Sequence, residues 1–108
     1  MLDGAGSGRR RATERLEACI VGDVQGVGFR WFALREALGL DLVGWVANEP
    51  DGSVAVVAEG LVDSLDRLQS ALGSGPPGAR VEVVMAQRSP PTGRFTRFEI
   101  RSGGHSGD

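Results

Sequence analysis

The chain has 108 residues, 41% of them hydrophobic and 24% charged, with a formal net charge of −2 and one cysteine. That length suits one domain with an ordinary core, built without disulfides or metals. The near-neutral charge gives no electrostatic case for nucleic acid or an anionic membrane. A lone Cys19 excludes an internal disulfide and makes a reducing cytoplasm the expected compartment. No apolar run reaches the roughly 20 residues of a membrane span, and the N-terminus is polar where a secretory signal needs an apolar segment.

Residues 1–15 read as a flexible tail, since MLDGAGSGRRRAT mixes Gly, Ser and Arg without periodicity. The Arg9-Arg10-Arg11 run in it reads as a solubilising extension rather than a nucleic-acid contact. From Leu16 to Val24 (LEACIVGDV), apolar residues alternate with Glu17, Cys19 and Asp23, as in a half-buried strand. Cys19 then points opposite to Ala18 and Ile20, toward an uncovered face. Nothing beside it in sequence would activate it as a nucleophile, so it reads as a structural or incidental thiol. The stretch from Arg30 to Leu40 is expected to be a helix, with Phe29, Ala33, Ala37 and Leu40 inward and Arg35 and Glu36 outward.

Val43 to Asn48 (VGWVAN) is a short strand, Glu49-Pro50-Asp51-Gly52 carries turn chemistry, and Ser53 to Glu59 returns as the second arm of a hairpin. Leu61, Leu65, Leu68 and Leu72 form a second helical stripe, which Gly73 is expected to end. Gly75-Pro76-Pro77-Gly78 is a rigid connector, Val81 to Ala86 a strand, and Phe95 to Arg101 a last short strand. Residues 102–108 (SGGHSGD) read as a second tail. They hold His105, the only histidine, without the rigid mount a catalytic histidine needs. The order β-α-β-β-α-β plus a final strand predicts an α+β, ferredoxin-like sandwich over residues 16–101. Its two helices would cover one face of a four- to five-stranded antiparallel sheet.

That topology gives the stretch VQGVGFR, residues 24–30, a possible purpose. The first two strands of a split βαβ unit run the same way, so both end at one edge of the sheet. The loop from Asp23 to Phe29 leaves the first strand there, and Asn48 ends the second. With the third strand between them the gap is roughly 10 Å, wide enough for a phosphate. A helix start carries free N–H groups and partial positive charge, glycines let the preceding backbone turn its own N–H groups inward, and Arg30 adds a planar fork. Spacing alone still leaves a plain strand-to-helix turn with a surface arginine as the simpler reading. The stretch fits neither the P-loop pattern nor the dinucleotide fingerprint, because no Lys follows at the required spacing and Trp31 stands where a third glycine belongs.

VQGVGFR, followed by GWVANEPDG (44–52) and GPPGARV (75–81), resembles the acylphosphatase family, and the resemblance runs from about Leu16 to Arg101. It implies the same fold and hydrolysis of small acyl phosphates to a carboxylate and inorganic phosphate, by an oriented water and without metal, cofactor or covalent intermediate. By resemblance, Arg30 matches the phosphate-binding arginine and Asn48 the asparagine that positions the water. Backbone N–H groups of Gln25, Gly26, Val27, Gly28, Phe29 and Arg30 would complete the cradle. The implied partners are a small acyl phosphate and the phosphate product, with no nucleic acid and no membrane, and the expected state is a monomer.

Three positions depart from the family pattern. Asp23 and Ala47 stand where relatives often carry basic residues, which is expected to reduce positive charge near the site. Asp41 replaces a glycine after the first helix, and Asp tolerates the left-handed backbone better than most residues. Two rival readings share this fold. One is a sensor that binds such a ligand without turnover. The other is an RNA-recognition domain, which needs stacking aromatics on the strands that here read LEACIVG and SVAVVAE and contain none.

Overall fold

The computed structural model describes residues 12–102; Arg9–Arg11 and His105 lie outside the described residues. Strand β1 (Thr13–Asp23) buries Leu16, Ala18 and Ile20 on one face and leaves Glu17 and Cys19 half-buried on the other. It begins before the apolar alternation makes it visible. Polar residues extend the ladder there, with Thr13 paired to Leu61 and Arg15 to Glu59. Helix α1 (Phe29–Gly39), β2 (Val43–Asn48), β3 (Val54–Leu61), α2 (Val62–Ser74), β4 (Arg80–Ser89) and β5 (Phe98–Arg101) follow in order.

The strands form one sheet in the order β4-β1-β3-β2-β5. β3 lies between β1 and β2, as the split βαβ arrangement requires, and these pairs are antiparallel. One pair departs from the expected wholly antiparallel sheet: β5 runs parallel to β2. The reason is geometric. β4 finishes beside Arg15, at the end of the sheet where β1 and β2 begin. A chain that crosses the sheet there and turns back must run in the direction of β2.

The core lies between the sheet and the two helices. Leu16, Ala18 and Ile20 face Ala58, Val56 and Val54 across the ladder, and Phe29, Ala33 and Ala37 of α1 and Leu65, Leu68 and Leu72 of α2 close over them. Each fully buried Leu is worth about 2 kcal/mol relative to an exposed one. The α2 stripe starts one residue later than its leucines suggest. Leu61 ends β3 and is 46% exposed, while Val62 takes the inward place. Both sets have helical spacing, so periodicity could not choose between them. Gly73 sits inside α2, and the helix stops at Gly75. Asp41, just after α1, adopts φ 57°, the only non-glycine with positive φ among the described residues.

Among the described residues, the second sheet face carries no helix. The 90–97 connection crosses it and is fastened to Glu59, whose side chain is 5% exposed. Glu59 accepts hydrogen bonds from the Thr92 and Gly93 N–H groups, the Thr92 hydroxyl and Arg15 Nη1. Burial alone would raise the pKa of this carboxyl; those donors outweigh it and bring it down to about 2.

Candidate active site

The loop after β1 is held by a buried residue at each end, Val24 before it and Phe29 after it, with Gly26 and Gly28 exposed between. Gly26 has φ 77° and Gly28 φ 80°. A β-carbon on either would meet nothing within 4 Å, so it is the backbone conformation, and not crowding, that calls for glycine. Gly28 is the N-cap of α1, and its carbonyl accepts the first helical bond, from Phe32 N at 3.0 Å. Among the described residues no side chain caps this helix start, and no acid occupies its first turn, so the partial positive charge there is not neutralised from within. Arg30 stands half-buried in that first turn.

Asn48 ends β2 and is 5% exposed. Val54 of β3 is the Cα partner of both Asn48 and Ile20, which puts the ends of β1 and β2 at one sheet edge, two strand spacings or roughly 10 Å apart. By strand alternation Asn48 lies on the helix-covered face with Val46, the face from which α1 starts.

The turn after Asn48 is closed by Glu49 N donating to Ser53 O at 2.9 Å and Gly52 N to Glu49 O at 3.0 Å. Asp51 accepts from the Ser53 hydroxyl at 2.6 Å and from Ser53 N at 2.9 Å, and these bonds hold its carboxyl below the usual range.

One contact was not legible in the sequence. Gln25, read there only for its backbone N–H, donates from Nε2 to Glu49 O at 2.8 Å and to Ser53 O at 2.9 Å. No periodicity or spacing signals a side chain reaching 24 residues along the chain.

The two charge departures fall in different places. Asp23 is the last residue of β1, exposed beside the loop, with Arg80 of β4 as its Cα partner. Ala47 lies on the opposite face from Asn48, buried and in register with Arg101. A basic residue at 47 would start from the open sheet face.

The acylphosphatase family model matches residues 16–100. The chain belongs to the acylphosphatase family. An acylphosphatase of Salinibacter ruber is 49% identical over 88 residues, covering 82% of this chain and 93% of the relative. One from Mycolicibacterium smegmatis is 43% identical over 96 residues, covering 89% of this chain and 98% of the relative. The crystal structure of the Bacillus subtilis acylphosphatase superposes with a TM-score of 0.79 at 35% identity, over 82% of this chain and 98% of that one. The expected ferredoxin-like fold is thus the fold of the family. Membership makes the protein an acylphosphatase-type hydrolase, with an acyl phosphate as substrate and phosphate as product.

Proposed function

We propose that the protein hydrolyses the carboxyl-phosphate bond of small acyl phosphates by direct attack of one oriented water on phosphorus, without metal or covalent intermediate, as a cytoplasmic monomer. The observation that carries this reading is the convergence at one sheet edge of the glycine loop and first turn of α1, bearing Arg30, with Asn48 at the end of β2. The backbone N–H groups of residues 25–30 and the Arg30 fork hold the phosphoryl oxygens and stabilise the charge that develops on them. Asn48 is too weak a base to take a proton. Its side-chain oxygen accepts one hydrogen bond from the water and fixes the line of attack. The new P–O bond forms to water as the bond to the acyl oxygen breaks, the carboxylate leaves with the bonding pair, and both protons of the water stay with the phosphate product, one passing to a phosphoryl oxygen. Its conjugate acid has a pKa near about 4, so no general acid is required.

Replacing Asn48 tests the division of labour. In Asn48→Ala, kcat is expected to fall by about a hundredfold or more, while competitive inhibition by inorganic phosphate stays within about threefold of wild type. Lower stability with activity per folded molecule preserved would instead mean that Asn48 only shapes the hairpin ahead of Pro50.

A further inference from the structure

Gln25 and Asn48 sit on different elements, and the Gln25 side chain links their neighbourhoods. The Gln25 amide has two N–H donors, and Nε2 lies 2.8 Å from Glu49 O and 2.9 Å from Ser53 O. Those two carbonyls are the ones that close the hairpin turn, accepting from Gly52 N and Glu49 N respectively. Each carbonyl oxygen has two lone pairs, so each serves the turn with one and Gln25 with the other. Glu49 is bonded directly to Asn48 in the chain, and Gln25 belongs to the loop that opens toward α1. We infer that the Gln25 side chain is a positioning residue of this reaction: it fixes the distance between the phosphate loop and Asn48. The inference rests on the functional reading above.

The hydrogen-bond pattern separates this role from a merely structural one. Without Gln25 the hairpin keeps both of its own closing bonds, and the loop keeps its anchors at Val24 and Phe29. What goes is the pair of bonds from Gln25 to Glu49 O and Ser53 O. The phosphate is then held as before, while the water loses its alignment with phosphorus. A displacement near 1 Å at a reacting atom costs up to about a hundredfold in rate.

The test is steady-state hydrolysis of benzoyl phosphate by wild type, Gln25→Met and Asn48→Ala, with inhibition by inorganic phosphate measured on each. Methionine keeps the length of glutamine and lacks both donors. Gln25→Met is expected to lose about tenfold or more in kcat, with KM and phosphate inhibition within about threefold of wild type. A wild-type kcat in Gln25→Met, beside a collapsed Asn48→Ala, overturns this inference alone. Loss of kcat and phosphate inhibition together also overturns it, because Gln25 would then be shaping the cradle. An Asn48→Ala protein as active as wild type sinks the functional reading and this inference with it. If Gln25→Met fails to fold, Gln25→Asn takes its place with the same expectations, since its amide is one methylene short of both carbonyls.

Discussion

Asp23 is the residue at which the charge beside the proposed phosphate loop can be tested. It ends β1 beside the loop, and a carboxylate about 10 Å from a phosphate dianion opposes its binding. Changing it to Lys alters the interaction by about 1.7 kcal/mol at the dielectric of water, and screening at 0.1 M salt leaves roughly 0.6 kcal/mol. Asp23→Lys should therefore raise kcat/KM about threefold at 0.1 M salt, more in dilute buffer, and not at all near 1 M. A salt series of initial rates checks this. A salt-independent effect would mean that Asp23 acts through loop shape. The gain should come with a stability loss of about 0.5 kcal/mol, because the new Lys faces Arg80 across the ladder. The glycines, Arg30 and Asn48 were legible because each lies in a short local motif. Gln25 was not, because its bonds run to another element. Ala47 lies on the opposite face from Asn48, because neighbours in a strand alternate between faces.

Among the elements, the helices and central strands follow from local pattern, and the misplacements fall where polar or ambiguous residues sit. Thr13, Glu14 and Arg15 extend β1 without an apolar signal, and Leu61 and Val62 compete for one inward place. The 90–97 connection was the least readable, because its order depends on Glu59, more than thirty residues away in sequence. That dependence has a pH signature. The Glu59 pKa is about 2 in the folded protein, below its ordinary value of 4.5. A depressed carboxyl stabilises the fold fully above its unfolded pKa, and the contribution is lost as pH falls toward the folded one. Wild type should thus lose stability between about pH 4.5 and 2, and Glu59→Gln should show a shallower loss over that range. Denaturant midpoints measured across acid pH report it. Equal slopes would mean that the clamp does not persist in solution.

For the whole molecule, the chain order predicted that β3 lies between β1 and β2, and that alone brings the ends of β1 and β2 to one edge. The direction of β5 did not follow from the order, since it depends on where the last connection crosses the sheet. Everything proposed about chemistry rests on that shared edge and on Arg30 as the charged partner of the phosphoryl group. The most direct test is phosphate release from benzoyl phosphate by wild type and Arg30→Gln, with both proteins verified as folded. The predicted result is steady turnover by wild type and a loss of about a thousandfold or more in Arg30→Gln, since the variant lacks the charged fork that holds the transferring group. Near-normal turnover by Arg30→Gln, or none by wild type, would contradict it.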